Sequence, residues 1–169
     1  MRIQMRRTNH WRMTVVAAAL SFTAIANPTS VPAAGNAHAN GGGTAEELGQ
    51  KSTFAFNAVQ QANGSVQGHL TYHVRALDVT FHMQNDCLSI TLNRAVIAGT
   101  VTMVTGTSPL LPFVVPGARG IFQVEDNGEG SDANPDLISD VLFPTGPVNC
   151  SVVPPNPTIP IDGNISVRP

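Results

Sequence analysis

The chain has 169 residues, 42% of them hydrophobic, 12% charged and 5% aromatic. Nine Lys and Arg stand against eleven Asp and Glu, a formal charge of −2, so the chain lacks the basic face that releases counterions from nucleic-acid phosphate. One Trp, one Tyr and seven Phe are too few for an evident platform on which bases or sugars would stack.

Residues 1–26 read as a secretory signal peptide. Arg2, Arg6, Arg7 and Arg12 form a basic start, and an apolar stretch of about 14 residues leads to Ala24-Ile25-Ala26, small residues that a signal peptidase accepts. Ala37-His38-Ala39 is a second candidate cleavage site. The apolar stretch is shorter than the roughly 20 residues a spanning helix needs, and no second one follows, so a secreted chain without a membrane span is expected. Cleavage removes four basic residues, leaving five against all eleven acids, a net charge of −6. It also removes Trp11, the only Trp.

Residues 27–45 are rich in Ala, Asn, Gly and Pro and close on Asn40-Gly41-Gly42-Gly43-Thr44. They read as a flexible leader with little to bury. Residues 46–169 are then one folded domain, long enough for one hydrophobic core.

Within that domain apolar residues recur with period two, the mark of strands. Phe54, Phe56 and Ala58 share one face of the first candidate strand. Residues 66–75 place Val66, Leu70, Tyr72 and Val74 on one face, and residues 78–84 do the same with Val79, Phe81 and Met83. A fold about Ala76-Leu77 pairs Val74 with Val79, Tyr72 with Phe81 and Leu70 with Met83, so one register satisfies three apolar pairs. Ala-Leu is a poor two-residue turn, which favours a four-residue loop with the same register. Further strands are expected over residues 87–93, 95–104, 118–125, 137–143 and 159–167. Thirteen prolines leave little room for helix. The fold class is all-β, an antiparallel β-sandwich of about seven or eight short strands, with a small β-barrel as the second architecture.

The most unusual chemistry lies between β-like segments. From Gly120 to Val167 there is no Lys or Arg, while seven carboxylates accumulate, six of them between Glu125 and Asp140. Like charges this close need solvent or a cation. Asp126, Asn127, Glu129, Asp132, Asn134 and Asp136 are hard oxygen donors of the kind calcium takes, with glycines between them. Asp132-x-Asn134-x-Asp136 copies the start of an EF-hand loop, but Leu137 and Phe143 stand where that loop needs Gly and Glu. A calcium loop is one expectation; a solvated acidic turn is the plainer one.

Cys87 and Cys150 are the only cysteines, and in an exported chain a single pair most simply forms a disulfide. His69 and His73 share a strand face but lie about 13 Å apart at strand rise, too far for one ion. His82 falls opposite Thr71, diagonal to each, so a two-His site with either is geometrically open, and an outer polar face is the plainer reading. No Ser sits in a Gly-x-Ser-x-Gly elbow, and the carboxylates are not placed on opposing walls. The chain is therefore read as a non-catalytic module binding an extracellular or envelope partner, with no cofactor beyond the calcium considered above. A secreted hydrolase with an unrecognised site is the alternative from another class.

Four motifs occur in order: Phe54-Ala55-Phe56-Asn57-Ala58, Gly68-His69-Leu70-Thr71-Tyr72, Asp126-Asn127-Gly128-Glu129 and Asp162-Gly163-Asn164-Ile165. Together they resemble the post-COAP-1-type small β-rich domain of secreted bacterial, often actinobacterial, proteins, over most of residues 51–167. Such domains often carry Pro after the Asp-Asn-Gly-Glu segment, where this chain has Gly130. The resemblance implies export, a bacterial source and a non-catalytic module, and transfers no catalytic residue.

Overall fold

A computed structural model describes residues 36–47, 49–130 and 133–169. The signal peptide expected over residues 1–26 lies outside the described residues, as do residues 27–35 of the leader. Eight strands follow one another in chain order: β1 (His38–Glu47), β2 (Gln50–Gln60), β3 (Val66–Val74), β4 (Val79–Thr91), β5 (Arg94–Thr105), β6 (Arg119–Glu125), β7 (Leu137–Ser139) and β8 (Thr158–Arg168). Each pairs antiparallel with its chain neighbour, and β1 pairs with β8, so the sheet closes into a barrel. The all-β antiparallel class holds, and of the two expected architectures the molecule adopts the closed barrel. Among the described residues no helix is long and apolar enough to cross a membrane.

Closure rests on a strand that the composition disguises. Residues 38–45, expected in a flexible leader, form most of β1 and pair with β2 and β8. The domain therefore begins before residue 46. Glycines here do not signal freedom; they permit close approach. Gly43 and Gly163 are opposite one another in the register. A Cβ on Gly43 would lie 2.6 Å from the Asp162 carbonyl oxygen, and one on Gly163 would run into that of Gly42. Only Gly lets the two backbones come together at this seam.

The β3–β4 hairpin has the register that the apolar pattern predicts: Val74 with Val79, Tyr72 with Phe81 and Leu70 with Met83. The loop is a short 3₁₀ turn, Arg75–Leu77, closed by Asp78 in the left-handed conformation at φ 50°. It is the four-residue solution, and the Asp78 N–H donates to the Arg75 carbonyl. The segments expected over 78–84 and 87–93 are one continuous strand, β4, with register shifts between His82 and Met83 and between Asn85 and Cys87. A bulge lets a strand change its facing without ending, so a break in period two read as a gap between strands. The expected strand over 137–143 shortens to three residues, with an isolated bridge from Leu142 to Ile121 beyond it.

Inward residues fill the barrel. Phe54, Phe56, Leu70, Tyr72, Phe81, Met83, Ile97, Phe122, Val124, Ile138 and Ile165 form one buried cluster. Phe122, fully buried, meets Phe56 edge to face with ring centroids 5.5 Å apart; burying such a ring contributes about 2–3 kcal/mol. Over residues 95–99 of β5 both faces are buried. The reason is a second cluster outside the wall, where Val96, Ala98, Ile121 and Cys150 pack with Leu142 and Val148. The Cys87–Cys150 disulfide forms, with Cα atoms 6.1 Å apart, and fastens the segment between β7 and β8 onto β4.

Candidate functional site

The two ends of the barrel differ in kind. One carries the acidic β6–β7 loop. The sequence raises the question of what balances its charge, and backbone amides supply part of the answer. Asp136 is buried; its Oδ1 accepts the Asn127 N–H at 2.8 Å and its Oδ2 the Ile165 N–H at 2.6 Å. Asp126 Oδ1 accepts the Gly128 N–H and its Oδ2 the Val167 N–H, each at 2.9 Å. Both carboxylates thus tie the loop to β8 through charge-assisted bonds. Asn127 adds a bond from its amide to the Pro135 carbonyl, and Asn93 donates to the Asp126 carbonyl.

Five of the six candidate calcium donors are described, and they differ in exposure. Asp126, Asn127 and Asp136 are drawn together by these backbone bonds, whereas Glu129 and Asn134 are exposed on an outer hollow that Asp136 and Asn164 also line. Asp132 lies outside the described residues. Among the described residues there is no group of three or more His, Cys, Asp or Glu placed to hold a metal ion.

The opposite end holds a cavity of about 610 Å³, within the range of small-molecule sites. Tyr72 and Val74 of β3, Phe81 of β4 and Ile159 of β8 bring barrel side chains to it. Leu110, Leu111, Phe113 and Val114 come from the β5–β6 connection, and Asp140, Val141, Leu142, Phe143 and Asn156 from the β7–β8 connection. The disulfide therefore anchors one wall of the cavity. Aromatic rings run from the core to its rim: Tyr72 stacks on Phe81 (centroids 5.4 Å apart), Phe81 meets Phe143 edge to face (5.5 Å), and Phe143 meets Phe113 (5.7 Å). Phe113 and Leu110 are exposed, at 49% and 69%.

Among the described lining residues one carboxylate, Asp140, stands exposed at the rim of this apolar setting. The Tyr72 hydroxyl donates to Asp140 Oδ1 at 3.2 Å. The Asp140 carbonyl accepts from the Ser139 hydroxyl at 3.0 Å and from the Asn156 side-chain amide at 3.3 Å. Gln123, buried on β6, holds Asn156 in turn through its carbonyl at 3.0 Å.

Sequence reasoning missed this end. In the sequence Asp140 stands with the acidic cluster, though it belongs to the other end of the barrel. Two uncharged runs, residues 95–118 and 141–161, contain the connections that line the cavity and could have marked it. Of the four ordered motifs, the second reaches the cavity through Tyr72, and the other three fall on framework positions. Phe54 and Phe56 lie in the core, Gly163 at the β1–β8 seam, and Asp126 in the tie to β8. The histidines take the outer face as expected: His82 Nδ1 and Thr71 Oγ1 are 3.0 Å apart, on paired residues.

Elsewhere on the wall, Arg119 grips Asp86 through two nitrogens and also donates to Thr100 Oγ1 at 2.8 Å. The Asp86 hydrogen bond holds the Arg119 guanidinium above its ordinary value, against the opposing effect of burial. That fork clamps β4, β5 and β6 beside the disulfide. No protein-family model, curated protein or solved structure matches this chain.

Proposed function

We propose that this protein is an exported, non-catalytic binding module whose barrel mouth takes up a small, mostly apolar molecule. The observation that carries this reading is the cavity of about 610 Å³, walled by apolar and aromatic side chains with few polar groups. Barrel mouths and apolar pockets with a few convergent polar groups are common ligand sites. The polar side chains lining it are Gln50, Ser52, Tyr72, Asp140 and Asn156. None is a histidine that would activate Ser52, which favours binding over the hydrolase alternative. A disulfide suits an oxidising compartment, in keeping with the export expected from residues 1–26.

The test is titration of the oxidised protein with N-phenylnaphthylamine, a neutral dye that brightens in apolar surroundings. Saturable binding, lost when Val141→Trp fills the mouth without lowering the unfolding midpoint, is the expected result. A folded protein that takes up no such dye overturns the reading.

A further inference from the structure

We propose that the mouth is selective for an apolar molecule carrying a protonated amine, with Asp140 as its anchor. The inference rests on the reading of the mouth as a ligand site and names the class of ligand it takes.

Among the described residues, Asp140 is the only charged residue lining the cavity, and no Lys or Arg lines it. Its backbone is tied down and its carboxylate, exposed at the rim, has one hydrogen-bond partner on the barrel wall. The side chain is engaged by the Tyr72 hydroxyl, and the main-chain carbonyl by Ser139 and Asn156. A carboxylate with one partner already in place gives up less of its own rotamer freedom on binding a cation. The connections on either side of the cavity, within residues 95–118 and 141–161, carry no charge, so nothing in them competes for Asp140. An ammonium group would gain a charge-assisted hydrogen bond to this carboxylate. It would also sit beside the ring row Tyr72, Phe81 and Phe143, whose faces attract cations. A carboxylate ligand, such as a fatty acid, would meet Asp140 as a like charge and find no basic partner. A neutral ligand would gain only the apolar contacts.

Three ligands of nearly one shape separate these cases: naphthylmethylammonium, naphthylmethanol and naphthylacetate, titrated by naphthalene fluorescence at low and high salt. The expected order is cation, then neutral, then anion, with the cation about tenfold tighter than the alcohol, the value of one charge-assisted hydrogen bond. Salt should narrow that gap. Asp140→Asn keeps the size and an acceptor for Tyr72, so it should remove the preference, the cation then binding no more tightly than the alcohol.

Equal binding of cation and alcohol, or a preference surviving in Asp140→Asn, overturns the inference while the mouth stands as a ligand site. Tighter binding of the anion overturns it too. Binding of none of the three, together with no uptake of the neutral dye, overturns both readings. Should Asp140→Asn lower the unfolding midpoint, the wild-type comparison of cation with alcohol decides alone.

Discussion

Asp136 shows how little a residue's charge says about its task until its partners are known. In the sequence it is one of a run of acids and a candidate cation ligand; in the fold each of its carboxylate oxygens accepts a backbone N–H, one from the loop and one from β8. Asp136→Ala strands both donors, and the expected loss is about 2–3 kcal/mol in urea unfolding. Since those amides serve the carboxylate, the same unfolding midpoint should not move between millimolar calcium and chelator. A rise with calcium that vanishes in Asp136→Asn would instead establish an ion site. Leu92 offers the opposite sign. It is 85% exposed and holds φ at 58° in the two-residue turn between β4 and β5. A side chain in that region costs about 1–2 kcal/mol, so Leu92→Gly is expected to raise stability by about 1 kcal/mol, readable as a higher denaturant midpoint.

At the scale of elements, the seam and the disulfide do different work. The seam between β1 and β8 depends on glycine because backbone stands where a Cβ would be. Gly163→Ala should cost about 1–3 kcal/mol, whereas Gly146→Ala, with nothing within 4 Å, should stay within about 0.5 kcal/mol. Equal effects in the two would refute the packing account. The disulfide closes a span of 63 residues, and its removal by Cys87→Ala with Cys150→Ala should cost about 4 kcal/mol on the chain-entropy account. Because Cys150 belongs to the segment that walls the cavity, the double variant should also bind N-phenylnaphthylamine more weakly. Unchanged dye affinity in a folded double variant would show that the wall stands without its anchor.

For the whole molecule the decisive property is closure. A chain beginning at residue 46 keeps what composition marks as the folded domain but loses residues 38–45 of β1. It would leave β2 and β8 as open edges, a template for association. A chain beginning at residue 36 is expected to be a monomeric, cooperatively unfolding protein, and the shorter one to aggregate or stay unfolded in size-exclusion chromatography. Closure bears on export too. Cleavage after Ala39 would strip His38 and the fully buried Ala39 from β1, so mass spectrometry of exported protein should find the start at Asn27.

The sequence alone makes legible the strand class, the β3–β4 register, the inward faces of β2, β3 and the first half of β4, and the pairing of Cys87 with Cys150. These follow from alternation at period two and from there being a single cysteine pair, both local or combinatorial facts. It did not determine the role of Asn40-Gly41-Gly42-Gly43, because a glycine run reads alike whether it is free or pressed against a neighbour 120 residues away. Nor did it separate Asp140 from Asp136, which are close in the chain but lie at opposite ends of the barrel. Sandwich against barrel, the tie of the acidic loop to β8, and the cavity became legible only in the folded chain. Each depends on which backbone groups and side chains meet across the closed sheet, and such meetings leave no period in the chain.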